Sequence, residues 1–377
     1  MIDPKAYWVG FNLVKGIGAV RVRALMDFFG SLEAAWRAPV DRLRLVGLPS
    51  KSLENLLRVR SDHSLEKTWE YIQHRSIQVL TWEDEAYPRR LREIDQPPPV
   101  LYLLGTLTPE DEWSVAIVGT RRMTVYGRQV AGELAAFLAR QGITVVSGLA
   151  RGVDRIAHEA ALQAGGRTIA VLGSGVDRIY PPEHFRLAEQ MQAHGAVLSD
   201  YAPGTPPDSV NFPPRNRIIS GLTLGTVVVE ASQESGALIT ASFAANQGRD
   251  VFAVPGSIYA PQSKGTNRLI QDGAHPLLAF EDILEVLQLE QVQEKQEART
   301  LLKPDPLVSA AEANLLHILA DEPQHVDEIC AQSGLPIEQV SATLTLMELK
   351  GMVRQVGGMN FSLVRENLAD YRTDDNV

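Results

Sequence analysis

From Val115 the chain repeats one pattern: a short, continuously apolar run followed by a helical stretch. The runs are Val115–Val118, Thr144–Val146, Thr168–Leu172, Ala196–Ser199, Thr226–Val229 and Asp250–Val254. Amphipathic or alanine-rich segments separate them, roughly 127–141, 152–164, 183–194 and 236–247. A strand with one wet face alternates apolar and polar residues; a strand covered on both faces does not. Runs of the second kind, alternating with helices, predict an α/β fold with a doubly wound parallel sheet.

The flanks read differently. Residues 5–75 predict short helices, with apolar residues at helical spacing over 19–29 and 52–59. Leu13-Val14-Lys15-Gly16-Ile17-Gly18 breaks them with a Gly-x-Gly turn, the pattern of a helix-hairpin-helix (SAM-like) domain. The N–H groups of such a turn, with the helix N-terminus behind it, can hold a phosphate without reading bases. Leu45-Val46-Gly47-Leu48-Pro49 is a weaker second copy. Glycines that simply cap helices would look the same. Ile77–Trp82 and Val100–Leu104 are extended runs, and Pro97-Pro98-Pro99 excludes helix before the second. Residues 281–306, rich in Glu and Gln and ending in Lys303-Pro304-Asp305-Pro306, read as a linker. Then come a helix at Ala311–Ala320, a helix–turn–helix (Val326–Gln332, Ser333-Gly334-Leu335, Ile337–Lys350) and a hairpin around Gly357-Gly358. Together these predict a winged helix. The expected domains are 1–75 (helical), 76–280 (sheet), 281–306 (linker), 307–366 (winged helix) and 367–377 (tail).

Composition narrows the function classes. No apolar run approaches the ~20 residues that span a bilayer, and the start, MIDPKAYWVG, lacks a secretory pattern. Cys330 is the single cysteine, which excludes an internal disulfide framework or a cysteine metal cage. The expectation is a cytoplasmic protein without membrane contact. A net charge of −10 argues against nucleic acid when taken whole, but the charge is uneven. Residues 114–280 are net +2, whereas 301–377 are net −7. The basic groups of the middle are all arginine except Lys264, and arginine suits bidentate phosphate contacts.

In open α/β sheets ligands bind beyond the carboxyl ends of the strands. The segments found there are Gly119-Thr120-Arg121-Arg122, Ser147-Gly148 with Arg151, Gly173-Ser174-Gly175 with Arg178, Asp200-Tyr201 leading to Phe212 and Arg215-Asn216-Arg217, Ser235-Gly236, and Lys264 with Asn267. Small residues let backbone N–H groups approach a phosphate, and helix N-termini favour negative charge. Arg121, Arg122, Arg151, Arg178, Arg215 and Arg217 add charge on one rim. Several such sites in a row suit a strand of nucleic acid more than one nucleotide. Phe212, Tyr180 and Tyr201 are candidates to stack on bases. Each aromatic alone would more readily serve packing, and each arginine would equally serve a surface ion pair.

Enzyme readings find little support. Gly173-Ser174-Gly175 starts like a dinucleotide fingerprint, but Arg178 holds the third glycine position, and there is no P-loop or Gly-x-Ser-x-Gly elbow. Asp154 and His158, at i and i+4, read as a helix-surface pair. His184, His194 and His275 lack metal-ligand spacing. Neither cofactor, metal nor catalytic residue is expected. The helix at 337–350 carries one basic residue, Lys350, in an acidic unit, so the winged helix is expected to meet protein rather than DNA. An enzyme on a nucleotide or phosphoribosyl substrate, with Glu230 or Asp154 as base, and a winged-helix transcription factor stand as the alternatives.

The motifs VAIVGTRRMTVYG, SGLARGVDRIAHEAAL, TIAVLGSGVDRIYPPEH, FPPRNRIISGL, ESGALITASFAANQGRDVFAVPG and KGTNRLIQDGA resemble, in this order, the DNA-processing protein A (DprA, or Smf) family. The resemblance is densest from 115 to 274. It implies a Rossmann-like core that dimerises through its own surface. The implied function is non-enzymatic: binding and protecting incoming single-stranded DNA in natural transformation and loading the RecA recombinase. It also implies that Arg121 meets phosphate, that Arg151, Arg215 and Arg217 line the same pocket, and that Phe212 stacks on a base. Thr120 stands where a serine is common, which keeps the hydroxyl.

Overall fold

The computed structural model describes residues 2–289, 314–316, 318–319, 324–349, 353–356 and 358–363. The expected linker from residue 290, most of the helix at Ala311–Ala320, Lys350, Gly357 and the tail lie outside the described residues. The chain divides into two compact units after residue 290.

The first unit opens with six helices: α1 (Lys5–Asn12), α2 (Ala19–Phe29), α3 (Leu32–Arg37), α4 (Val40–Leu45), α5 (Ser50–Asp62) and α6 (Leu65–His74). Gly16, at φ +95°, makes the turn into α2. Its carbonyl accepts from Arg21 and from Ser52, and that of Lys15 from Asn55, so α5 holds the turn in place. Strand β1 (Gln78–Thr81), the short α7 (Arg89–Arg92) and β2 (Val100–Gly105) follow.

The sheet region then runs β3 (Ser114–Val118), α8 (Val125–Arg140), β4 (Thr144–Ser147), α9 (Val153–Gln163), β5 (Thr168–Val171), α10 (Phe185–Ala193) and β6 (Gly195–Ser199). It continues through α11 (Phe212–Leu222), β7 (Gly225–Val228), α12 (Gly236–Asn246), β8 (Asp250–Ala253), α13 (Lys264–Gln271), β9 (His275–Pro276) and α14 (Glu281–Val286). The nine strands form one sheet in the order β1-β2-β6-β5-β4-β3-β7-β8-β9. Strands β3 to β9 are parallel; β2 joins β6 antiparallel, with Tyr102 opposite Ser199. All six apolar runs from Val115 are strands, and nearly every residue in them is buried, as double coverage requires.

Two consequences of this topology position the site. The chain walks outward from β3 to β6, then returns to lay β7 on the other side of β3. The order therefore reverses between β3 and β7, the switch point where open α/β sheets bind ligands. Strand β2 is buried on both faces. Val100 and Tyr102 enter the core of the helical region, and Leu101 and Leu103 enter the core against the sheet and α11. Val176 and Ala202, from loops beyond β5 and β6, join the helical core.

The second unit contains β10 (Gln324–His325), α15 (Val326–Ser333), α16 (Ile337–Leu349), β11 (Val353–Gln355) and β12 (Asn360–Leu363). Its strands pair in the order β10-β12-β11. Val326, Ile329, Val340, Leu344, Met347, Val353 and Phe361 form its core, with Cys330 packed against them. Helix, turn, helix and a two-stranded wing make this a winged helix.

Candidate nucleic-acid interface

At the switch point the loops after β3, β4 and β5 and the first turns of α11 and α12 surround a cavity of about 670 Å³. Gly119, Thr120, Arg121 and Arg122 line it from β3, Phe212, Arg215 and Asn216 from α11, and Ser235 and Gly236 from α12. A narrow recess beside it is bounded by Arg121, Gly148, Arg151, Tyr180, Phe212 and Arg215.

The residues Phe212–Arg217, outside the expected helical segments, open helix α11. Pro213 and Pro214 fall in its first turn, where a missing N–H costs nothing and a fixed φ suits the helix. That turn presents the half-buried Phe212 ring to the cavity. Arg121 and Arg215 lie over the ring, their guanidinium carbons 5.7 and 6.0 Å from its centroid. Tyr180 flanks it at 5.9 Å between centroids. An aromatic ring beside cations can take a base while an exposed cation takes a phosphate.

Arg215 is 5% exposed. Its guanidinium donates to the Val171 carbonyl, and a Cβ on Gly148 would collide with it. Glycine at 148 is therefore a packing requirement for the arginine. Burial pushes Arg215 down to about 10, with Asp154 opposing the shift, so it stays charged at neutral pH. Asp154 accepts from the N–H groups of Gly148 and Ala150 at 3.2 and 3.3 Å, fixing the turn after β4. Burial raises its pKa, with the nearby Arg215 opposing the shift only in part.

Asp154 and His158 are thus no helix-surface pair, because both face inward between α9 and the sheet, 7% and 0% exposed. Thr168 Oγ1 donates to the Val145 carbonyl, so it accepts from His158 Nδ1 at 2.6 Å. Glu230 is buried too, accepting from Thr124 N and Oγ1 at 2.9 and 2.5 Å. It anchors the start of α8. The sequence pattern misses the inward role of Asp154, since an acid in a first helical turn looks like an ordinary cap.

Other predicted residues are placed elsewhere. Gly173 backs the Phe212 ring. Ser147 is buried and donates to Ile117 O, and Ser174 donates to Arg178 O, which leaves both hydroxyls turned into the fold. Gly175 packs against Asp177 and Gly204. Arg151 is half exposed and pairs with Glu183 at 2.6 Å. Arg178 is exposed but lines neither cavity. Arg217 pairs with Asp200 at 2.7 Å on the far side of α11. Tyr201 donates to Asn211 O. Lys264 is exposed at the start of α13, and Asn267 bonds both backbone groups of Gly256. Among the described residues, no His, Cys, Asp and Glu side chains cluster to hold a metal, and no helix is long and apolar enough to cross a membrane.

Known proteins resemble this chain over most of its length. Residues 78–288 match the family model for DNA recombination-mediator protein A, and residues 297–359 match a DprA winged helix domain. Protein Smf of a Synechocystis species is 37% identical over 95% of this chain and 98% of its own. The X-ray structure of DNA processing protein A from Streptococcus pneumoniae superposes with a TM-score of 0.65, at 32% identity over 76% of this chain and 98% of that one. DNA processing protein A from Helicobacter pylori, solved for its single-stranded DNA binding mode, gives a TM-score of 0.51 at 32% identity. It covers 56% of this chain and 97% of that one.

Proposed function

This chain belongs to the DNA recombination-mediator protein A (DprA/Smf) family, and on that premise we propose that its switch-point cavity grips single-stranded DNA. The observation that carries the reading is the Phe212 ring with Arg121 and Arg215 beside it in one cavity with the α12 N-terminus. The ring takes a base, and the exposed Arg121 takes a phosphate. Buried Arg215 supplies a fixed charge beneath them. Gly119, Thr120, Arg122, Gly148, Asn216, Ser235 and Gly236 shape the path.

The protein acts by binding, not catalysis. Asp154 and Glu230, the candidate bases, each hold backbone N–H groups of a site loop. In the cytoplasm it protects incoming strands and loads the RecA recombinase on them during transformation and recombination, working as a homodimer through the Rossmann-like region. Family membership is the support for these last steps.

Fluorescence anisotropy with labelled single-stranded and duplex oligonucleotides over a salt series tests the reading. Single strands should bind more tightly. Arg121→Ala should weaken binding and flatten the salt dependence by about 0.7 in log–log slope for each phosphate left without its counter-charge. Unchanged affinity and slope would sink it. RecA loading is checked separately, by the rate of RecA filament growth on oligonucleotide with and without this chain.

A further inference from the structure

A second cavity, of about 580 Å³, adjoins the first. The two share Pro213 and Ile239 as a common wall. Helix α12 runs past both: Gly236, Ile239 and Thr240 line the first, and Ile239, Phe243, Asn246 and Gln247 line the second. The second set falls at i, i+4, i+7 and i+8, one stripe of a helix. From Gly236 to Asn246 the axis advances about 15 Å. Stacked nucleotides rise about 3.4 Å each, so a strand held at the α12 N-terminus reaches the second cavity within roughly four nucleotides.

The lining chemistry differs between the two. The first cavity is arginine-rich. In the second the charges offset one another, with Arg217 and Arg249 against Glu93 and Asp95. Arg217 is bound to Asp200, and Arg249 approaches Glu93 at 3.7 Å. What remains is apolar surface from Phe243 and Ile239 with the amides of Gln96 and Asn246, the Gln247 amide being turned inward to the Arg217 carbonyl. A balanced, amide-rich cavity with one aromatic wall favours a flat, uncharged, hydrogen-bonding group over a phosphate. Its volume lies within the roughly 300–1,000 Å³ of small-ligand sites.

We propose that this cavity is a second subsite of the same DNA path, taking one unpaired base of the strand gripped at Phe212. Phe243 packs against the base, and Asn246 and Gln96 meet its edge. The phosphates stay on the outer rim, clear of Glu93 and Asp95. The proposal rests on the reading of the first cavity as the DNA grip.

The test is the affinity of the full chain for labelled oligothymidylates of increasing length, up to about fifteen nucleotides. For the parent protein the affinity should rise in a step once the strand is long enough to span both cavities. Asn246→Ala and Phe243→Ala should each weaken binding of long strands about fivefold to tenfold, the effect of one base left unheld, and change short-strand affinity by less than about twofold. If thermal melting shows Phe243→Ala to be unfolded, Asn246→Ala, altered at an exposed amide, decides alone. A length step that survives in the folded variants, or no step in the parent protein, overturns the second subsite. Failure of the underlying reading looks different: Arg121→Ala would then leave every length unaffected.

Discussion

At the scale of single residues, the site depends on groups that never reach the ligand. Gly148 exists for Arg215, because any side chain there meets the guanidinium. Gly148→Ala should destabilise the fold by about 1–3 kcal/mol through overpacking. Anisotropy should also show at least tenfold weaker single-strand binding. His158 makes a second case. Burial, with His184 and Arg215 adding to it, pushes its pKa down to about 3. The folded protein therefore keeps this imidazole neutral while the unfolded chain protonates it near its ordinary value of about 6.5. Between those values the unfolded state binds the extra proton, so stability is lost as the pH falls from about 6.5 toward 3. His158→Gln removes that group, and its melting temperature should fall less steeply than the parent's from pH 6.5 to 4. Of these residues the sequence marks Gly148 and Arg215 as lying at the strand ends, without showing that the one makes room for the other. It reads Asp154 and His158 wrongly, because a period of four places them together without saying which way they face.

At the scale of elements, the parallel strands were legible because double burial leaves runs such as Val115–Val118 with no polar residue. Helix α11 was not. Its Phe-Pro-Pro-Arg start carries two prolines that read as loop until they are recognised as a first turn. That one misreading also scattered the arginines. In a loop, Arg215 and Arg217 share a rim. Two positions apart on a helix they diverge by about 200°, one to each cavity. Strand β2 shows the opposite economy, serving two cores through alternate residues. Leu103→Ala should therefore cost about 2–5 kcal/mol from the sheet side alone. Three of the five tryptophans, Trp8, Trp36 and Trp69, lie in the helical region. If β2 couples the cores, tryptophan fluorescence should report the full destabilisation in denaturant unfolding, although the mutation sits on the opposite face.

For the whole molecule, the two units differ in charge and are expected to differ in task. Residues 337–349 contain Glu338 and Glu348 and no lysine or arginine, so α16 offers nothing to a phosphate. Deleting residues 291–377 should leave oligonucleotide affinity within about twofold, measured by the same anisotropy assay. The first unit is bound together at long range. Asn12 donates to the Asp200 carbonyl and accepts from Tyr102, and Tyr71 donates to Asp177 beside the cavity loops. Val176 and Ala202 complete the helical core. A ribosome releases the N-terminus first. The helices and β2 thus emerge about a hundred residues ahead of the segments that cover them. For that interval the nascent chain carries an unfinished apolar core, and newly made protein, more than the mature fold, is where a chaperone finds its substrate.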